Sequence, residues 1–218
     1  MTQLEQEIKD LRIELLNMFI AVNKQLLKTE KAFFDFDKDI AYEVYNAEKR
    51  INALELKIDR DCENILALYS PVAVDLRFVL SVYKINHELE RIADIAEGIC
   101  KYINGLSKPF PSKAVEDVRI AEMFIQCKSM MEDVIVAFEN EDTSTARKVF
   151  KKDEFLNEIN EGGSANIIKN YNEQDAKSLF FLLSCVRKLE RAGDLNKNIA
   201  EELIFSIESK VVKHQKKK

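Results

Sequence analysis

Apolar residues recur every three or four positions along most of this chain, which is the spacing of amphipathic α-helices. In the N-terminal half the pattern predicts long helices over residues 3–34, 37–69 and about 71–104. Asp37 follows the first apolar pattern and is predicted to cap the second helix. Ser70 is predicted to cap the third helix, with Pro71 in its first turn.

The C-terminal half repeats this order after a break at residues 105–111, which contain two of the three prolines and predict a linker. Helices are predicted over residues 112–140, from Asp142 or Ser144 onward, and over residues 174–210. Residues 161–164, Glu-Gly-Gly-Ser, are expected to interrupt the fifth helix. The pattern leaves open whether helix resumes before Asn172.

Three long helices per half, joined by short turns, indicate an all-α fold of two antiparallel three-helix bundles. We expect the first bundle to span residues 1–106 and the second residues 112–210, followed by a basic tail at 211–218. Short turns leave sequence neighbours adjacent in space. The second helix should therefore pack beside the third, and the fifth beside the sixth.

The composition limits which classes of partner and which cellular compartment we expect. The net charge of the 218 residues is −5, and the rest of the chain is more acidic still because the C-terminal residues are basic. This charge argues against nucleic acid as a partner. No stretch approaches an apolar membrane span, and the N-terminus lacks a signal-peptide core, so we expect a cytoplasmic protein. The four cysteines lie far apart in helical patterns and are expected to be reduced core residues.

A short acidic motif occurs twice, one hundred residues apart: Leu89-Glu90-Arg91-Ile92-Ala93-Asp94 and Leu189-Glu190-Arg191-Ala192-Gly193-Asp194. A repeat at matching points of two halves predicts pseudo-symmetry. Residues four apart stack on one helix face, and about 100° per residue turns these carboxylates away from the apolar seam. They should therefore lie on an outer or flanking surface. A ferritin-like di-iron core, whose ligands project inward, is disfavoured.

The neighbouring helices carry matching polar pairs, Glu48 with Asn52 and Asp153 with Asn157. Each bundle could align an acidic pair with an acid-plus-amide pair. Such oxygen clusters suit Mg, Mn, Fe or Zn. The alternative is an ordinary solvated face in which Arg91 and Arg191 pair locally. His87 precedes Glu90 by three positions and is interpreted as structural or solvated rather than as a ligand.

Catalytic chemistry has little support in the sequence. Gly162-Gly163 is not followed by the Lys and hydroxyl residue of a phosphate-binding loop. The two histidines, His87 and His214, offer no Ser-His-Asp arrangement. We therefore expect a protein that is not an enzyme and has no catalytic residues. A metal-dependent enzyme on a carboxylate helix bundle, or a purely structural helical repeat, stays open as an alternative.

Two segments resemble the PhoU family of bacterial phosphate-transport regulatory proteins. Residues 71–77, Pro-Val-Ala-Val-Asp-Leu-Arg, match the family's Pro-x-Ala-x-Asp-Leu-Arg and are followed by the first acidic motif. The second motif continues into Asn198-Ile199-Ala200-Glu201, similar to the family's Asn-Ile-Ala-Glu. The resemblance implies two pseudo-symmetric bundles with metal ions held at the surface by Glu/Asp-x-x-x-Asp pairs. Gly98 departs from the expected asparagine, and Asn52 and Asn157 supply amide rather than carboxylate oxygens.

The resemblance also implies a regulatory role. Proteins of this family are cytosolic negative regulators of phosphate uptake and of phosphate-starvation signalling. They are expected to couple the ATPase subunit of the phosphate ABC importer to a membrane sensor histidine kinase. The implied cofactors are divalent or trivalent metal ions, and exposed outer helix faces would allow a homodimer.

The residues that these arguments select as metal ligands are Glu48, Asn52, Glu90, Asp94, Asp153, Asn157, Glu190 and Asp194.

Overall fold

Long helices account for nearly all of the architecture. The computed structural model describes residues 2–170 and 176–212, and for residues 163–170 it describes the backbone alone. The helices are α1 (Gln3–Asp35), α2 (Lys38–Tyr69), α3 (Ala73–Asn104), α4 (Ser112–Asp117), α5 (Ile120–Asn140), α6 (Thr143–Asn170) and α7 (Ala176–Glu208). Helices α1–α3 pack on one another, as do α5–α7, with the short α4 against α5 and α6. The all-α fold of two three-helix bundles is confirmed.

Local sequence explains where the first helices begin and end. Asp37 caps α2 as expected, because its side chain accepts hydrogen bonds from the backbone N–H groups of Asp39 and Ile40. The prediction for Ser70 is wrong. Ser70 ends α2 in a left-handed conformation with φ 46°, and α3 begins only at Ala73 without a side-chain cap. Pro71 therefore lies in the turn between α2 and α3 and not in the first turn of α3.

Two helix boundaries in the second half differ from the prediction. The helix expected over residues 112–140 is divided by a turn at Val118 and Arg119, where Arg119 has φ 54°. The interruption expected at residues 161–164 is absent, since α6 runs through Gly162 with helical backbone. Glycine weakens a helix by only about 1 kcal/mol relative to alanine. Packing of α6 against α7 outweighs that weakness.

The predicted linker is a packed connection rather than a loose one. Leu106 and Phe110 are buried, and lysines from two helices donate to the linker carbonyls: Lys38 to Leu106 and Lys177 to Gly105. Phe33 of α1 stacks on Phe110 with ring centroids 4.8 Å apart. The linker therefore fixes the first bundle against the second.

The two bundles also meet along α3 and α7 and along α1 and α5. Across α3 and α7, Lys84 forms an ion pair with Glu202 at 3.1 Å, and Asn198 donates to Glu88 at 3.3 Å. Helices α3 and α7 are the ones that carry the repeated acidic motif. The interface therefore holds both motifs in one rigid frame.

Three further sequence predictions concern the cysteines, membrane spans and the segments at the two ends of the last helix. The cysteines Cys62, Cys100, Cys127 and Cys185 are free thiols in the core, as expected. No described helix combines the length and apolar content needed to cross a membrane. Residues 171–175, where the start of the last helix was expected, and residues 213–218 of the predicted tail lie outside the described residues.

Candidate metal centre

Helices α2 and α3 bring three predicted ligands together. Glu48 projects from α2 toward α3, where Glu90 and Asp94 occupy successive turns. A carboxylate oxygen from each residue lies within 4.8 Å of those from the other two. Asn52 is exposed, one turn beyond Glu48 on α2. The structure thus assembles the acidic part of the first predicted site.

Glu48 is the unusual member of this group. It is 8% exposed, and neither of its carboxylate oxygens has a hydrogen-bond partner. Burial raises the pKa of Glu48 to about 7, helped by the nearby negative charges of Asp94, Glu97 and Glu90. Burial and the charge of Asp94 also raise the pKa of Glu90. A buried carboxylate without a partner is unfavourable unless a proton or a cation compensates it.

A metal ion fits this donor set. Three carboxylates within reach of one point are ligands that hard and borderline cations prefer. Asp94 is exposed and Glu90 partly exposed, so the group opens to solvent on one side. Arg91, which could have neutralised the motif locally, pairs with Glu88 at 3.0 Å instead. This local pair agrees with the alternative of a solvated face for Arg91, but it leaves the carboxylates of Glu48, Glu90 and Asp94 without an ion-pair partner among the described residues.

A second group of possible ligands lies on the same pair of helices. Glu55 and Asp59 of α2 and His87 of α3 bring ligand atoms within 4.8 Å of one another. His87 Nδ1 is 3.0 Å from a Glu55 oxygen, and its Nε2 is 3.7 Å from an Asp59 oxygen. Asn86 donates to Asp59 at 2.9 Å and holds that carboxylate in place.

Sequence reasoning overlooked Glu55 and Asp59. A usable signal existed, because Glu55 follows Glu48 by seven residues and Asp59 by eleven, both of which return to the same helix face. The pair Glu55–Asp59 is also four apart, like the repeated acidic motif. The interpretation of His87 as structural or solvated agrees with its contacts to two carboxylates, although those contacts equally place it among possible ligands.

The second bundle is arranged differently. Asp153 of α6 is 1% exposed and its charge acts on both Glu190 and Asp194 of α7, whose pKa values are raised first by burial. Lys197 donates to Asp153 at 2.8 Å. Among the described residues, the three second-bundle carboxylates do not join in a group as tight as the first. Asn157 is partly exposed, one turn beyond Asp153.

The positions of the predicted ligands divide into two sets. The carboxylates of α3 and α7 are partly or fully exposed on flanking faces, as their spacing indicated. Glu48 and Asp153 are instead buried. They are buried because α2 and α6 place them against the neighbouring helix, a position that the sequence pattern did not address.

The departure at Gly98 has a structural explanation. A Cβ atom at Gly98 would collide with the side chain of Lys188, which crosses from α7 over this part of α3. In the second half, Asn198 occupies the corresponding position and donates to Glu88. A side chain at position 98 would thus require the flexible end of Lys188 to move, whereas Asn198 already spans the contact between α7 and α3.

These features define an all-α protein made of two repeated helix bundles, with acidic clusters between neighbouring helices. The profile described as PhoU domain matches residues 15–103 and 120–203, which together cover most of the chain. The chain belongs to the PhoU family.

Individual proteins of this family align with almost the whole chain. The phosphate-specific transport system accessory protein PhoU of Escherichia coli (strain K12) is 30% identical over 216 residues, covering 97% of this chain and 88% of that protein. The crystal structure of the phosphate transport system regulatory protein PhoU from Streptococcus pneumoniae superposes with a TM-score of 0.85 at 28% identity, covering 96% and 99% of the two chains. The crystal structure of PhoU from Pseudomonas aeruginosa gives 0.87 at 27% identity, covering 95% and 100%.

Proposed function

We propose that this chain regulates phosphate uptake and phosphate-starvation signalling as a cytoplasmic adaptor. It would link the ATPase subunit of a phosphate ABC importer to a membrane sensor histidine kinase. Membership of a family whose relatives are named as accessory and regulatory proteins of phosphate transport supports the general role. The adaptor role and the two partners extend beyond those names.

We further propose that the Glu48, Glu90 and Asp94 group binds a divalent or trivalent cation. The observation that carries this step is the buried Glu48 carboxylate, which lacks any hydrogen-bond partner and faces two more carboxylates. Bound metal would neutralise the group and hold α2 against α3. It would serve the shape and charge of a docking face.

Capture of partners from cells tests the adaptor role. Tagged protein is used as bait in cells grown with high and with low phosphate, and the ATPase subunit and the sensor kinase are quantified by mass spectrometry. Recovery of either partner in amounts that change with phosphate supports the proposal. Recovery of neither, from lysates in which both are detected, refutes it.

A charge-matched comparison tests whether the acidic group matters for docking. One variant combines Glu48→Gln, Glu90→Gln and Asp94→Asn. Its control combines Glu63→Gln, Glu132→Gln and Glu139→Gln, which are exposed carboxylates on α2 and α5. We expect only the first variant to lose bound metal and partner recovery. Equal metal content in both variants would overturn the metal site while leaving the adaptor role to the capture result.

A metal-dependent enzyme is the second candidate, favoured only by the mixed group of Glu55, Asp59 and His87. Histidine with two carboxylates is a ligand set that also occurs in catalytic metal sites. Hydrolase or oxidase turnover that disappears in His87→Ala would support it.

A further inference from the structure

The two halves of the repeat treat their buried acid differently. In the first bundle no described lysine or arginine forms an ion pair with Glu48, and both Glu48 oxygens are unpartnered. In the second bundle the corresponding Asp153 receives the ammonium group of Lys197 at 2.8 Å, and Asp153 is almost completely buried. The buried acid of the first group therefore has no described cation paired directly with it, whereas one oxygen of Asp153 is paired with Lys197 and only its Oδ1 is left without a hydrogen-bond partner.

A single position in the repeat accounts for this difference. Lys197 follows Asp194 by three residues, and Glu97 follows Asp94 by three residues in the first copy. Glu97 turns toward Lys101, with which it pairs at 2.6 Å, and adds a further negative charge near Glu48. Lys101 lies near the first group but pairs with Glu97, and in the second copy the two charges are exchanged, with Lys197 on Asp153 and Glu201 at the position of Lys101. The two groups therefore differ in which acid their lysine contacts rather than in the number of charges around them.

We propose that the ammonium group of Lys197 takes the place of a metal ion in the second bundle. The repeat is then functionally unequal: the first bundle holds a cation tightly through Glu48, Glu90 and Asp94, and the second is closed by its own lysine. This inference rests on the metal site proposed above. The residue at the third position after the motif aspartate decides which half binds metal.

The second acidic group should bind a cation more weakly than the first because the cation must displace Lys197. A cation entering the second group must break the ion pair between Lys197 and Asp153, and the released ammonium group would still repel it. Lys197 has one third of its side chain exposed, so it could swing outward, but Asp153 would lose its only described ion-pair partner. We expect removal of the lysine charge to tighten Mn²⁺ binding in the second bundle roughly 10- to 100-fold, the range by which residues around a metal site typically alter its affinity.

The test is a count of tightly bound Mn²⁺ by titration followed with electron paramagnetic resonance of the free ion. Lys197→Met removes the charge at similar volume and should add one tight ion relative to the unaltered protein. Glu97→Lys should remove one. The exchange Glu97→Lys with Lys197→Glu should restore the original count with the ion relocated to the second bundle.

Additional substitutions locate the ion and control for the neighbouring histidine group. Glu48→Gln should abolish the tight ion of the unaltered chain but not that of the exchanged variant, and Asp153→Asn should do the reverse. His87→Ala, measured in parallel, shows whether the nearby histidine contributes an ion of its own. Circular dichroism verifies that each variant keeps its helix content.

The outcomes separate this inference from the metal site on which it rests. Two indistinguishable ions in the unaltered protein, or no added ion in Lys197→Met, overturn the inference and leave the first site standing. Absence of tight Mn²⁺, Fe²⁺ and Zn²⁺ from every correctly folded variant refutes the metal site and the inference together. Neither result bears on partner capture, which tests the adaptor role separately.

Discussion

At the scale of single residues, Glu48 is a buried carboxylate whose oxygens have no hydrogen-bond partner among the described residues. Glu48 is buried because α2 packs against α3, and no described protein group hydrogen-bonds to its two oxygens to offset the lost hydration. In the metal-free chain a proton is the available compensation. Glu48 therefore makes stability depend on pH.

We expect the metal-free protein to lose about 3 kcal/mol between pH 4.5 and pH 8 through Glu48 alone, since its pKa is raised to about 7 from 4.5. Below pH 4.5 the group is protonated in both states, so it carries no penalty. As the pH rises toward 7 the unfolded chain ionises first, and stability falls. Urea unfolding with chelator at pH 5 and pH 8 measures the change.

Glu48→Gln should abolish most of that pH dependence and should be more stable than the unaltered protein at pH 8 without metal. Glu63→Gln, at an exposed position of the same helix, is the control and should change little. Added Mn²⁺ should stabilise the unaltered protein more than Glu48→Gln. An identical pH profile for both chains would contradict the role assigned to Glu48.

At the scale of elements, α6 shows how packing overrides a weak local sequence. Its helical backbone continues past Gly162, where sequence alone suggested a break. Ile159 and Leu156, about one and two turns earlier, are buried against the rest of the bundle and extend the contact with α7. At Gly193 of α7 a Cβ atom would collide with Leu156, so this glycine permits the close approach of the two helices.

Gly162→Ala should therefore stabilise the protein by about 1 kcal/mol. Alanine favours helix over glycine, and nothing lies within 4 Å of the new Cβ atom. The midpoint of urea unfolding reports the gain. Gly98→Ala should give a similar or somewhat smaller gain, because only the flexible end of Lys188 must move to make room for the new Cβ atom. A loss of stability in Gly162→Ala would show that helix does not continue there.

At the scale of the whole molecule, aromatic side chains join the bundles near the linker. Phe33 of α1 stacks on Phe110 and also lies 5.4 Å from the ring of Phe124 in α5. Together with the α3–α7 contacts, this packing makes the two acidic groups parts of one body. We expect the bundles to unfold in a single cooperative transition.

Phe33→Ala should cost about 3–5 kcal/mol, the range for truncating a buried aromatic side chain. Because Phe33 contacts both bundles, amide exchange should accelerate by a similar factor in α2 and in α7. Hydrogen exchange followed by mass spectrometry measures this. Phe180→Ala is the control, since Phe180 is 66% exposed and should change stability little. Acceleration confined to α2 would show that the bundles unfold independently.

The sequence by itself determined the long helices and their order, apart from the division of residues 112–140 into α4 and α5 and the continuity of α6 through Gly162. Apolar spacing defined the long helices, Asp37 marked a helix start, and the repeated Leu-Glu-Arg motif indicated two related halves and the outward direction of Glu90, Asp94, Glu190 and Asp194. These features are local, because helix periodicity depends on residues three and four positions apart. The family resemblance rested on the same segments.

The tertiary structure alone decided which acids are buried and what compensates them. Glu48 and Asp153 look equivalent in sequence. The second copy supplies Lys197, but only the placement of neighbouring helices brings that lysine to one oxygen of Asp153 and leaves both oxygens of Glu48 unpartnered. The group of Glu55, Asp59 and His87 likewise forms only because α2 packs against α3 with these residues at the same height. Burial and charge pairing are sums over residues distant in sequence, so the periodicity of a single helix does not determine them.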